Sequence, residues 1–222
     1  CGTNGKGSTI SFLRSILKEA DIKCNIYTSP HVKRINERFI YNDEMISDDN
    51  LSNLLNEIEE INNGQPLTYF EALTAAFFNG CKKYKENLVI AEFGLFGRGD
   101  AVNILKKNLC NIVTSCSEDH LDWLPKNDRN IQRIIFEKTS SLLESNIVIA
   151  KQSSDEITEC IKKNISKNSA NKYYFNEDYN FVLKENNFFY YEDNYGGLKI
   201  PRPNLNGQFQ LENASTAIAT LR

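Results

Sequence analysis

The stretch Gly2-Thr3-Asn4-Gly5-Lys6-Gly7-Ser8-Thr9 opens the chain and runs straight into helix-prone sequence over residues 8–20. Glycines that let backbone N–H groups close around phosphate, a lysine that neutralises the outer phosphates and a following helix N-terminus make it resemble a P-loop. The spacing departs from the usual pattern. Gly7 stands between Lys6 and the first hydroxyl, and the pattern's first glycine would fall ahead of Cys1. A glycine turn before a helix is the plainer alternative. If the loop holds phosphate, Lys6 should reach outward from it.

A phosphate loop of this kind needs a parallel sheet to carry it, and the chain supplies one on paper. Short apolar runs at 25–28, 88–93, 110–115 and 147–150 alternate with amphipathic segments, and their composition reads as fully buried strands. Ser47 is placed to cap a helix with Leu51, Leu54, Leu55, Ile58 and Ile61 on the 3.6 period, and Thr68 with Glu71 forms a capping box for the next. Past residue 150 one amphipathic helix carries Ile157, Cys160, Ile161 and Ile165. The Tyr/Phe/Asn-rich stretch 172–200 then reads as an antiparallel meander closed by Pro201 and Pro203. The expected fold class is α/β: a P-loop-containing, mostly parallel sheet flanked by helices, with a small antiparallel β subregion. Its parts are a main sheet over 1–150, a helix plus meander over 151–210 and a returning helix over 211–222.

Composition narrows the partners. The 222 residues are 41% hydrophobic and 25% charged with a formal net charge of -3, so the chain lacks the basic footprint that a phosphate backbone demands. Nucleic acid is not expected. No apolar run approaches the roughly 20 residues that span a bilayer, and no leader pattern opens the chain, so neither membrane nor secretion is expected and the cytoplasm is. Cys1, Cys24, Cys81, Cys110, Cys116 and Cys160 are scattered without a C-x-x-C pair. A first residue that is Cys, inside a glycine-rich motif, suggests an excerpt from a longer protein.

In open α/β sheets ligands bind beyond the carboxyl ends of the strands. Ser29-Pro30-His31 follows the first candidate strand, Glu92 and Gly94 close the second, and Glu118, Asp119 and His120 follow the third. A hydroxyl, a carboxylate and an imidazole beside a phosphate loop suit a hard divalent cation on a nucleotide. Each has a plainer reading: Ser29 as a turn residue, Glu92 as a helix-capping carboxylate, His120 as a satisfied turn histidine. On the helix after Asp128, Lys138 shares the stripe of Ile131, Ile134, Ile135 and Leu142. A buried neutral lysine can take up carbon dioxide as a carbamate, whereas an ordinary one snorkels or pairs with Glu137 or Glu144.

Eight motifs follow one another in a specific order: Gly2 through Thr9; Thr28-Ser29-Pro30-His31; Asn36-Glu37-Arg38; Thr68-x-Phe70-Glu71; Glu92-x-Gly94-Leu95-x-Gly97-Arg98-x-Asp100-Ala101-x-Asn103; Asp119-His120-x-x-Trp123-Leu124; Glu137-Lys138; and Gly207-x-x-Gln210-x-x-Asn213-Ala214. In that order they resemble the bacterial folylpolyglutamate synthase/dihydrofolate synthase family of Mur-type ligases. The resemblance implies a central ATPase domain, with a first strand and a C-terminal glutamate-binding domain outside these residues. It implies an enzyme that phosphorylates a pterin carboxylate with ATP and joins it to L-glutamate, acting as a monomer.

Residue by residue, it gives ATP to Gly2, Thr3, Asn4, Gly5, Lys6, Gly7, Ser8, Thr9 and Asn213. Ser8, Ser29 and Glu92 go to one magnesium ion, and His120 and a carbamylated Lys138 to a second. The catalytic set is Lys6, Glu92, His120 and Lys138, and Arg38, Phe70, Asp100 and Ala101 fall near the pterin. Phe96, Gly99, Pro125 and Thr139-Ser140 depart from the family pattern, Phe96 replacing a glycine. A cell-wall Mur-type amino-acid ligase and a non-catalytic nucleotide-binding module are the rival readings.

Overall fold

The computed structural model describes residues 1–185 and 187–222. Helix α1 (Lys6–Glu19) follows the glycine loop directly. The chain divides into two compact units, one of residues 14–94 and 100–104, the other of 1–13, 95–99 and 105–222.

In the first unit β1 (Cys24–Tyr27) pairs antiparallel with β2 (Phe39–Tyr41), which turns through Asn42 and Asp43 into β3 (Glu44–Met45). Both turn residues have positive φ, 53° and 68°, the conformation that a two-residue hairpin needs and that Asn and Asp tolerate. Helix α2 (Asp48–Asn62) starts where Ser47 Oγ accepts the Asn50 N–H, as expected. Helix α3 (Tyr69–Cys81) starts on the expected capping box, with Glu71 N donating to Thr68 Oγ1 at 3.2 Å and Thr68 N to Glu71 Oε2 at 2.8 Å. Strand β4 (Leu88–Ala91) returns parallel to β1, giving the order β3-β2-β1-β4. Tyr27, Phe39, Leu51, Leu54, Leu73 and Phe77 form the core, with Tyr27 stacked on Phe77 at 5.0 Å. β1 is buried throughout, but β4 corrects the expectation of four fully buried strands. It ends the strand order and leaves Val89 exposed.

In the second unit β5 (Cys110–Val113), β6 (Asn146–Ile149) and β7 (Lys172–Tyr174) pair parallel in that order. Helices α4 (Ile131–Thr139) and α5 (Asp155–Asn164) form the crossovers, and β8 (Tyr179–Glu185), β9 (Phe188–Asp193) and β10 (Gly196–Pro201) make a separate antiparallel sheet. Helix α6 (Gln208–Leu221) buries Leu211 and Ala214 against Val148, Tyr179, Phe189 and Tyr191.

Two sequence expectations are corrected here. The meander begins at Tyr179, not at residue 172. Residues 172–174 complete a strand-helix-strand crossover with β6 and α5, and such a crossover delivers a parallel strand. Its tyrosines have core on both sides, Tyr173 with Val148 and Leu211, Tyr174 with Ile149 and Ile161. Second, α4 stops at Thr139, so Leu142 packs into the core from beyond the helix.

Candidate functional site

The glycine loop lies against the carboxyl end of β5. Thr114 N donates to Cys1 O at 2.8 Å, and Thr3 N and Asn4 N both donate to Ser115 O, at 2.8 and 3.1 Å. Gly2 and Gly5 hold φ of +134° and +86°, and a Cβ on either would collide, with Thr114 Oγ1 and Asn213 Oδ1 respectively. At Gly7 a Cβ would meet nothing within 4 Å, so packing does not require that glycine. Lys6 does not reach outward as expected. Its ammonium folds back onto the carbonyls of Gly2 (3.1 Å) and Thr3 (3.3 Å), which lie within its own side-chain length and supply oxygen acceptors. Thr9 Oγ1, one turn into α1, is buried with no hydrogen-bond partner.

Lys138 is 1% exposed, which removes the snorkelling alternative. Pairing with its neighbour is removed too, because Glu137 is engaged by Arg98 through two 2.7 Å hydrogen bonds and by Arg133 at 2.6 Å. The Arg98 hydrogen bond is the first cause holding that carboxyl below the usual carboxylate range. Lys138 Nζ donates instead to Gly2 O at 3.2 Å and to Leu95 O at 3.0 Å, with the Phe96 ring centroid 5.5 Å away. Phe96 also meets the His120 ring edge-on, at 6.1 Å and 86°. Gly97 passes so close to the end of α4 that a Cβ would lie 2.5 Å from Lys138 O. His120 sits at φ +54° with Nε2 3.1 Å from Asp119 Oδ2. Burial is the first cause holding its pKa below the ordinary histidine value; Asp119 pulls it up, while Lys138 and Lys6 push it down. The balance favours a neutral imidazole, the form that ligates metals.

The first unit carries the remaining candidates. Glu92 follows β4 directly, is 6% exposed, and accepts the Ser29 N–H on Oε2 at 3.0 Å, so it holds the β1 turn. Ser29 Oγ is buried with no hydrogen-bond partner, an orphaned oxygen beside a buried carboxylate. A hard cation uses such a pair of oxygen donors, so these residues fit magnesium. Among the described residues no group of three His, Cys, Asp or Glu is placed to hold a metal by itself. The phenyl ring of Phe70 fills the space where a Gly94 side chain would stand and lies 6.0 Å from the Tyr27 ring. Asp100 accepts the N–H groups of Gly94 and Val102, and Ala101 follows it half-buried. Arg38 is 8% exposed, donates from Nε to His31 Nδ1 at 2.9 Å, and lies over the Tyr69 ring at 5.9 Å.

The candidates thus fall into two sets. Lys6, Ser8, His120, Lys138 and Asn213 belong to one unit; Ser29, Arg38, Phe70, Glu92, Asp100 and Ala101 belong to the other. Sequence reasoning noted Phe96 only as a departure and passed over Tyr69. The legible sign for Phe96 was a bulky residue inside a glycine-rich segment; Tyr69 gave none beyond its place in the first turn of α3.

The Mur ligase middle domain family matches residues 1–221. The Bacillus subtilis dihydrofolate synthase/folylpolyglutamate synthase is 34% identical over 177 residues, covering 76% of this chain and 40% of that protein. The Escherichia coli enzyme of the same name is 39% identical over 132 residues, 60% of this chain and 31% of its own length. Among solved structures, the Yersinia pestis bifunctional enzyme complexed with AMPPNP and Mn ion superposes with a TM-score of 0.86 at 30% identity, covering 100% of this chain and 51% of that one. E. coli FolC in complex with DHPP and ADP also gives 0.86, at 32% identity and the same two coverages. The chain spans about half the length of these solved structures and less of the curated relatives. With the family matched along nearly its whole length, on a glycine loop seated at the end of a parallel strand, this chain belongs to the Mur ligase middle domain family.

Proposed function

We propose that the full-length protein is an ATP-dependent amide ligase that joins L-glutamate to the carboxylate of a pterin acceptor, dihydropteroate or a folate, through an acyl phosphate. The observation that carries this reading is the glycine loop at the end of β5, where two buried or half-buried lysine ammoniums, from Lys6 and Lys138, converge on Gly2 O. Positive charge gathered at backbone N–H groups ahead of a helix suits a polyphosphate. The names of the relatives support the choice of acceptor.

In this reading Lys6 and the N–H groups from Gly2 to Thr9 bind the ATP phosphates, and Asn213, packed on Gly5, lies toward the base. Metal ligation is assigned to Ser8, Ser29, Glu92, His120 and Lys138. Magnesium, two ions in this reading, supplies charge neutralisation during phosphoryl transfer. Phe70, Arg38, Asp100 and Ala101 receive the pterin acceptor. Its carboxylate attacks the γ-phosphorus and ADP leaves; the glutamate amine then attacks the acyl carbon and phosphate leaves. As an ammonium, Lys138 would repel a cation. As a carbamate, formed from the amine and carbon dioxide with loss of two protons from the ammonium form, it becomes an oxygen ligand of opposite sign. The enzyme works as a cytoplasmic monomer. ATP turnover by the full-length protein with dihydropteroate or tetrahydrofolate as the varied acceptor tests the reading. Glutamate-dependent ADP release with either acceptor supports it; release with neither overturns it.

A further inference from the structure

Strand β5 pairs with β6 as far as Val113 and Ile149, and Ala150 N donates to Val113 O at 2.8 Å just beyond that ladder. Past this rung a side chain continues the link. Gln152, half-buried, accepts the Cys116 N–H on Oε1 at 2.9 Å, while its Nε2 donates to Ala150 O at 2.8 Å and to Thr114 O at 3.4 Å. A carboxamide offers an acceptor and two N–H donors, and here backbone engages all of them.

The same strand end carries the glycine loop. Besides the bonds of Thr3 N and Asn4 N to Ser115 O, Thr3 Oγ1 donates to Ser117 O at 3.1 Å and accepts the Ser117 N–H at 3.2 Å. Asn4 Nδ2 adds a bond to Ser117 Oγ at 3.3 Å. Residues 114–117 are thus held by two sets of bonds, one from Gln152 and one from the loop, and His120 stands three residues further along the chain. All of these groups lie in one compact unit. Satisfying backbone groups at a sheet end is in itself a stabilising role. The loop gives the carboxamide a second consequence. Gly2 and Gly5 leave the loop little stiffness of its own, so where it stands depends on the segment to which it is bonded.

We propose that Gln152 is a positioning residue of the nucleotide site: it fixes the strand end on which the glycine loop hangs, so that the loop is set before a polyphosphate arrives. This rests on the ATP reading above and adds to it a residue that acts on the phosphates through backbone alone. Arg38, Phe70, Asp100 and Ala101, assigned to the acceptor, belong to the other unit, so losing the carboxamide should weaken nucleotide binding and spare acceptor binding.

The test is calorimetric binding of ADP with magnesium to the full-length protein from pH 8 to pH 5, beside dihydropteroate binding and a thermal melt. Gln152→Met keeps the length of the side chain and removes its three hydrogen bonds. ADP should bind it about fivefold or more weakly than the wild type, the scale of one or two neutral hydrogen bonds, with dihydropteroate affinity within about twofold. Gln152→Glu keeps the acceptor for Cys116 N–H but turns an anionic oxygen on the carbonyls of Thr114 and Ala150, which together with burial raises its carboxyl above the ordinary value of about 4.3. Its deficit against the wild type should be largest at pH 8 and shrink as the pH falls and an O–H donor returns. Because methionine carries no charge, its loss of affinity separates positioning from plain repulsion of ADP by a new carboxylate. A role confined to closing the sheet end would lower the melts and leave ADP affinity, measured well below them, at the wild-type value; that result overturns the proposal. A deficit in Gln152→Glu that does not shrink toward pH 5 overturns it too. If Gln152→Met fails to fold, Gln152→Asn, neutral and one methylene short, takes its place with the same expectation and the same overturning result. Wild-type protein that binds no ADP would instead refute the ATP reading, before any substitution is made.

Discussion

Lys6 and Lys138 place their ammonium groups on one acceptor, the carbonyl oxygen of Gly2, at 3.1 and 3.2 Å. An anion placed beside that oxygen would neutralise the charge gathered there. A bound polyphosphate would do so for both, and a carbamate on Lys138 would do so for Lys6. The second account makes a distinct prediction. Lys138→Ala should greatly reduce acyl-phosphate formation, and millimolar formate or acetate should partly restore it by filling the vacated oxygen position. Near-normal turnover of the alanine variant without added acid would falsify carbamylation.

Lys6→Ala should lower glutamate ligation by the full-length enzyme about a hundredfold or more, the usual cost of removing one preorganised charge from a transition state. Its hydrogen bonds to Gly2 O and Thr3 O go to loop carbonyls that water can take over, so the thermal melt should change little. Steady-state rates and a circular dichroism melt, taken on one preparation, check both halves.

Gly5 and Gly7 should separate packing from ligand approach. Gly5→Ala puts a Cβ at φ +86° against Asn213 and should destabilise the protein by about 1–3 kcal/mol. Gly7→Ala meets open space and should leave the melt unchanged while weakening ADP binding, read by calorimetry. Unchanged affinity in Gly7→Ala would mean that the phosphate does not pass over that residue.

Phe96, buried among Leu124 and Ile134, carries both a packing and an orienting role for His120. Phe96→Ala should cost about 3 kcal/mol in denaturant unfolding, near the lower end for a large-to-small core change. Phe96→Leu should recover most of that stability. Because leucine lacks the ring edge, the Leu variant should still need more magnesium for half-maximal turnover than the wild type.

Glu37 accepts the N–H groups of Val32, Lys33 and Arg34, and the first two causes, the Val32 and Arg34 hydrogen bonds, hold its carboxyl below the usual range. A depressed carboxyl stabilises this loop above its unfolded pKa, about 4.3 for glutamate, and loses that contribution as pH falls through the folded value. Amide exchange at residues 32–34 should therefore be protected at neutral pH and lose relative protection below about pH 4. Glu37→Gln should remove the pH dependence.

The helices were legible because their signals are local. Ser47, Thr68 and Glu71 cap their own backbones whatever surrounds them. The β2-β3 hairpin was legible in principle from Asn42-Asp43, yet its three- and two-residue strands are too short for periodicity to register. β7 was misread because aromatic composition marks a strand without saying which strand it pairs with. Of the candidate site, sequence located the residues at the strand ends but not their states. The helix stripe put Lys138 on the apolar face but left burial and snorkelling both open; that it is buried, and that Glu137 is taken by Arg98, a residue 39 positions away, could be seen only in three dimensions.

The contact between Gly5 and Asn213 carries a consequence for how the chain can vary. A side chain at position 5 needs a smaller residue at 213, and a bulkier residue at 213 presses on a glycine that has nothing left to give up. The two positions are sterically tied to each other although almost the whole chain separates them. A transplant of the loop into another scaffold that leaves α6 behind would therefore carry over the spelling of the motif without the wall it leans on.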